Sequence, residues 1–304
     1  MPEVPAELPL AHDRFAALVA DLRPELHRYC SRLVGSAIDG EDVVQESLAK
    51  AFYALSLSPE VPPLKPWLLR IAHNTAIDFL RRFEHRNVDA VADLEVVAEM
   101  SGSHERDGRG PDGERVEAAL QVFAALPPVQ RSALALKDVI GLSLEETAAT
   151  MDISVAAVKA ALVRARANVA SAGAAGAVRD GRVDLARLRR YADLFNARDW
   201  AALRALFGEE TRLEVVSRTQ RRGKSAAEYV TRYAEIAPRD QLRAQAGWVD
   251  GVPAIAMFRA AGDSPAFFVR IDWRDERFGL IRDFRFVPYI AADATFTPEP
   301  PGPR

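Results

Sequence analysis

From residue 11 to residue 82 the apolar positions recur at helical spacing almost without a break. Between Glu41 and Leu55, the residues Val44, Leu48, Ala51, Phe52 and Leu55 fall at i, i+4, i+7, i+8 and i+11 and build a core face. Glu41, Asp42, Gln45 and Glu46 are expected on the opposite side, where carboxylates also suit a helix N-terminus. A second helix is predicted from Pro66, a favoured first-turn residue, to Arg82. Leu68, Ile71, Ala72, Thr75 and Phe79 face its core, while Trp67, Arg70, Asn74, Asp78 and Arg81 line another side.

The period fades over 83–114, where Gly, Ser, Asp and Glu accumulate as in a linker. It returns over 115–170. There Leu126-Pro-Pro-Val-Gln-Arg131 opens a helix, and Ser143 with Glu146 three residues on forms a capping box for Leu144–Met151. Ser154 caps a further helix from Val155 to about Ala170, with Val158 and Leu162 buried. Small Ala148 and Ala149 permit the close crossing of a helix-turn-helix. An Ala/Gly-rich joint covers 171–184. Residues 185–292 then read as two helices (Leu185 to Leu194, Phe195 to Phe207) followed by strands. The strand candidates are Thr211 to Thr219, Ala244 to Val249, Pro253 to Arg259, Ala266 to Trp273 and Leu280 to Val287. The fold expected is multidomain: two all-α domains, then an α+β cone with a curved antiparallel sheet. Residues 293–304 are proline-rich and are expected to form a loose tail.

Composition narrows the function. A chain of 304 residues divides into two or three domains. The single cysteine, Cys30, excludes an internal disulfide and a cysteine-rich zinc site, and no metal or cofactor is expected. With no apolar run of membrane length and no signal peptide, no membrane partner is expected and a cytoplasmic location is. The net charge of −3 excludes a nonspecific DNA coat, because duplex binding is driven mainly by phosphate neutralisation. Nucleic-acid contact must come from local patches or with a partner's help.

Two such patches stand out. The stripe of Trp67, Arg70, Asn74 and Arg81, with Arg82 beside it, mixes an aromatic ring, guanidinium groups and an amide. That chemistry suits phosphates and unstacked bases, although a core tryptophan flanked by solvated arginines gives the same pattern. The helix after Ser154 leaves Ser154, Ala157, Lys159, Ala160, Ala161 and Arg164 on or near a groove-facing side. Recognition helices present N-terminal residues to base edges while flanking basic residues hold phosphates. Its alanines offer methyl contacts to thymine and little bidentate hydrogen bonding. Arg131, Lys159, Arg164 and Arg166 are the cationic candidates, Arg166 being equally readable as a surface residue near the helix end.

These segments together resemble the extracytoplasmic-function (ECF) class of the sigma-70 family. The matches are Arg32-Leu-Val-Gly35, Asp39-Gly-Glu-Asp-Val-Val-Gln-Glu46, the run from Trp67 to Arg82, and Leu126 to Arg131 with the helix-turn-helix behind it. The resemblance implies that 11–82 is region two and 115–170 region four. Asp39, Glu41, Asp42, Gln45 and Glu46 then become contacts to core RNA polymerase at its β′ clamp helices. Trp67, Arg70, Asn74, Arg81 and Arg82 become contacts to the melted −10 strand. Arg131, Ser154, Ala157, Lys159, Ala160, Arg164 and Arg166 become contacts to the −35 element, with region four held at the β flap. The acidic linker would run through the polymerase cleft, where negative charge imitates RNA. An anti-sigma factor or a small ligand is a further partner to consider.

The run Tyr191 to Phe207 resembles the start of a SnoaL-like, ketosteroid-isomerase-like domain, a known extension of some members of this class. All five histidines lie before residue 185, so a histidine base is excluded there. Asp272 and Asp283 remain as pocket carboxylates, but Arg270 and Arg285, two residues away on the same strand faces, favour ion pairs. Two rival readings are a helix-turn-helix regulator with a ligand-binding domain, and a SnoaL-like isomerase or cyclase tethered to DNA. The first of these leaves the acidic helix at 39–46 and the Trp67 to Arg82 stripe unexplained.

Overall fold

The structure is a computed structural model that describes residues 14–57, 60–92, 123, 125–171, 185–217, 219–260 and 262–299. The expected linker beyond Ala92 and most of the joint lie outside the described residues. The chain divides into two compact units, Met1–Gly176 and Ala177–Arg304.

The first unit is helical. A short helical stretch at 14–19 is followed by α1 (Arg23–Val34), α2 (Ala37–Ser56) and α3 (Leu64–Ala92). Helix α1 ends at Gly35, whose φ of 87° lies in the left-handed region that glycine adopts without strain. One residue later Ser36 caps α2 by accepting from the Asp39 backbone N–H, so α1 and α2 fold back on each other. Gly40 permits the close crossing: a Cβ there would sit 2.6 Å from the Cα of Ser31. Helix α3 extends ten residues past the expected end at Arg82. A helix already nucleated upstream propagates through sequence that lacks a strong apolar period of its own.

The second helical block comprises α4 (Pro128–Leu134), a wide π-turn over Ala135–Val139, α5 (Leu144–Met151) and α6 (Val155–Ser171). The capping box at Ser143 is present in both directions. The Glu146 N–H donates to Ser143 Oγ at 3.0 Å, and the Ser143 N–H donates to the Glu146 carboxylate at 2.7 Å. Asp152 stops α5 in the left-handed conformation, and Ser154 Oγ accepts from Ala157 N–H at the start of α6. The two helical blocks do not keep separate cores. Leu33, Leu69 and Ala72 from the first belong to one buried cluster with Ala133, Leu136 and Leu162 from the second.

The second unit begins with α7 (Leu185–Asn196) and α8 (Trp200–Ala205), as the sequence predicts. Strands β1 (Arg212–Val215), β2 (Thr219–Arg222), β3 (Arg243–Val249), β4 (Val252–Phe258), β5 (Phe267–Arg274), β6 (Arg277–Asp283) and β7 (Phe296–Pro298) form one sheet. Their order is β2-β1-β6-β5-β4-β3-β7. Helix α9 (Lys224–Arg239) lies between β2 and β3, and a short α10 (Tyr289–Asp293) precedes β7. Two expectations are corrected, and one unassigned stretch is filled. The sheet is mixed, since β1 runs parallel to β6 with Arg212 opposite Leu280. The tail begins in register, since Trp248 of β3 pairs with Thr297, and Glu299 receives an Arg189 hydrogen bond of 3.1 Å. A helix, α9, fills the stretch between the first two strand candidates. Its face of Tyr229, Tyr233 and Ala237 joins Leu188 and Phe195 of α7 over the sheet residues Ile255, Val269 and Ile281.

Candidate nucleic-acid interface

The acidic helix presents a mixed picture. Asp39, Asp42, Gln45 and Glu46 are half-buried on α2. Glu41 is fully buried and paired with Arg23 of α1, which corrects the expectation that it faces outward. It stands three residues before the core residue Val44, one helical turn back on the buried side, and a buried carboxylate requires such a partner. Glu46 receives Lys50 at 2.8 Å and Arg82 of α3 at 3.0 Å. Partial burial opposes its ionisation, but these two hydrogen-bonding cations prevail and hold its pKa below the ordinary carboxylate value.

On α3 the expected stripe is formed by Arg70, Asn74, Arg81 and Arg82, all exposed. Trp67 is only half-exposed and packs against the shared helical core. Arg70 approaches Asp152 of the α5–α6 turn at 3.5 Å. The buried side of α3 carries a polar residue outside the candidate set, His73. Its Nδ1 lies 2.8 Å from Tyr29 Oη and 3.0 Å from Ser132 Oγ, and burial lowers its pKa to about 4.

On α6, Val158, Ala161, Leu162 and Ala165 are buried, which takes Ala161 off the expected groove-facing side; Ser154, Lys159, Ala160 and Arg164 are exposed and Ala157 is partly covered. Arg166 is exposed and donates to both carboxylate oxygens of Asp138, at 2.9 and 3.1 Å. Arg131, expected at a phosphate, is buried: its guanidinium donates to the carbonyls of Leu33 at 2.7 Å and Leu126 at 3.0 Å. No local pattern reveals this, because the Leu33 carbonyl belongs to α1, 98 residues away in sequence.

In the second unit Asp283 is fully buried at the end of β6. Its Oδ2 accepts from Tyr233 Oη at 2.9 Å, and its Oδ1 accepts the Arg285 backbone N–H at 2.9 Å. The Arg285 guanidinium is 3.5 Å away and stacks over the Tyr233 ring. Desolvation raises the Asp283 pKa against the pull of Arg285. Asp272 is exposed and pairs with Arg270 at 3.5 Å. Both carboxylates thus have the same-face arginine partners that the sequence suggests. Beside the tyrosines, the rings of Tyr191, Phe195, Trp200 and Phe278 line a cavity of about 10 Å³, room for roughly one water molecule and not for a substrate. Among the described residues no cluster of metal-ligating side chains occurs, and no helix is long and apolar enough to cross a membrane.

A helix-turn-helix with one cationic face, joined to a helical block bearing a second cationic stripe and an acidic helix, is the architecture of a DNA-binding protein recruited through another protein. Known proteins match the chain in sequence. Residues 18–86 match Sigma-70 region 2 and residues 117–169 match Sigma-70, region 4. ECF RNA polymerase sigma factor SigG of Mycobacterium tuberculosis is 30% identical over 276 residues, covering 82% of this chain and 74% of the relative. ECF RNA polymerase sigma-E factor of Salmonella typhimurium is 35% identical over 161 residues, covering 50% of this chain and 82% of the relative. The crystal structure of the Mycobacterium tuberculosis extracytoplasmic function sigma factor SigJ aligns with a TM-score of 0.35 at 19% identity, covering 88% of this chain and 95% of that one.

The chain belongs to the ECF RNA polymerase sigma factors. Sigma factors bind core RNA polymerase and promoter DNA and are not enzymes.

Proposed function

We propose that this chain recruits core RNA polymerase to specific promoters and supports their melting, with its C-terminal unit modulating the activity. In this reading Asp39, Asp42, Gln45 and Glu46 of α2 dock on the β′ clamp helices. Arg70, Asn74, Arg81 and Arg82, with Trp67 at their edge, hold the −10 strand. Ser154, Ala157, Lys159, Ala160 and Arg164 of α6 read the −35 element, while region four rests on the β flap. The observation that carries the reading is the pair of separate cationic faces on α3 and α6, with an acidic face on α2 preceding both in sequence. A pull-down of core polymerase that survives Asp42→Ala and Glu46→Ala together would sink the docking assignment.

The C-terminal unit is read as a SnoaL-like domain. A modulatory role is supported by the small size of the ring-lined cavity beside Tyr233 and by the ion pairing of Asp272 and Asp283. In-vitro transcription with the full chain and with residues 1–178 tests it. Identical promoter output from both would end the proposal.

A further inference from the structure

The buried seam of α6 consists of Val158, Ala161, Leu162 and Ala165, and two of these four are alanines. A methyl group lets helices approach closely but offers no ridge to interlock, so such a seam fixes separation better than rotation. Two polar rungs flank the seam near the far end of the helix. Arg166 donates one guanidinium nitrogen to both carboxylate oxygens of Asp138, at 2.9 and 3.1 Å. Asn168 Nδ2 donates to Gln130 Oε1 of α4 at 2.9 Å. At 3.6 residues per turn, Arg166 lies about 100° to one side of Ala165 and Asn168 about 60° to the other. Asp138 sits in the π-turn, where the Ile140 N–H donates to the Ala135 carbonyl at 2.9 Å. Wide turns of this kind are rare and are frequent at functional sites.

Rungs on opposite sides of a seam resist rotation in both directions. Rotation matters toward the other end of α6, where Ser154, Ala157, Lys159, Ala160 and Arg164 stand. A turn of about 10° carries a side-chain tip at roughly 6 Å radius through about 1 Å. Good hydrogen bonds span only about 0.5 Å in length, so a base contact is lost or exchanged over that arc. Resting on the −35 reading of α6, we propose that Asp138, Arg166, Gln130 and Asn168 are positioning residues. They set the rotation of the recognition helix, and thereby its base preference, without touching DNA themselves. Exposed pairs of this kind contribute little to stability, so their effect is on orientation.

The experiment measures binding by the full chain assembled with core polymerase, on promoter DNA randomised over the −35 element and across a salt series. Arg166→Ala and Asp138→Ala are expected to weaken discrimination against wrong bases alike, by about fivefold, the lower end for one mismatched pair. The salt slope should stay at the wild-type value. The reversed pair, Asp138→Arg with Arg166→Asp, is expected to restore discrimination. Asn168→Ala should act in the same direction through the second rung, and serves if Asp138→Ala fails to fold. An Arg166→Ala chain whose salt slope falls by about 1 with discrimination intact makes Arg166 a phosphate contact and overturns the proposal. So does wild-type discrimination in a folded Asp138→Ala or Asn168→Ala chain, or a reversed pair that folds without restoring it. Each of these leaves the −35 reading standing. A wild-type chain indifferent to the −35 sequence overturns that reading as well.

Discussion

At the scale of single residues, His73 and Asp283 show how burial sets chemistry. His73 is neutral in the fold because burial lowers its pKa from 6.5 to about 4. The unfolded chain therefore binds the extra proton first as pH falls. The contribution of His73 is intact above pH 6.5 and is lost progressively as pH drops toward 4. Between pH 7 and pH 5 the helical unit should lose about 2 kcal/mol. Urea titrations at the two values, with His73→Asn flattening the difference, check this. Asp283 is held by Tyr233 and by the nearby Arg285. Asp283→Ala strands a half-buried guanidinium and should cost about 3 kcal/mol or more, whereas Asp283→Asn keeps an acceptor for Tyr233 and should cost less. Equal melting temperatures for the two variants would contradict this account.

At the scale of elements, what local pattern encodes is legible in the sequence and what distant pairing encodes is not. The inward faces of α2 and α3, the Ser143–Glu146 box and the buried side of α6 follow from helical period and cap chemistry. Glu41 and Arg131 escape such reading because their partners, Arg23 and the Leu33 carbonyl, lie on other elements. Helix α9 does carry a local signal: Ala226, Tyr229, Val230, Tyr233 and Ala237 recur at i, i+3, i+4, i+7 and i+11. The parallel β1–β6 pairing carries none, since its strands lie 68 residues apart at Leu213 and Ile281. The proline-rich end conceals β7, whose edge position tolerates proline. Gly40 carries an element-scale prediction. A methyl group there pushes α2 from α1, so Gly40→Ala should destabilise by roughly 1–3 kcal/mol despite its better helix propensity. Denaturant midpoints of the two proteins decide the sign.

At the scale of the whole molecule, the charges explain why a chain of net charge −3 is suited to promoter work. Several candidate cations are paired within the protein itself: Arg82 with Glu46, Arg70 with Asp152, and Arg166 with Asp138. Those pairings lower the local positive potential that a phosphate backbone would meet. With core polymerase present, Lys159→Ala and Arg164→Ala should each weaken promoter binding uniformly across sequences and reduce the salt slope by about 1. Filter-binding isotherms across a salt series measure it, and unchanged slopes in both variants would remove α6 from the phosphate contacts.

Tyr29 and Ser132 are separated by 103 residues, so their hydrogen bond also orders events in time. Ribosomes add roughly 5–20 residues per second, and α4 therefore leaves the ribosome about 5 to 20 seconds after α1. Throughout that interval the faces of α1 and α3 that will receive α4 are bare, and nothing later in the chain can yet cover them. A nascent chain is born open and closes only as its second helical block emerges.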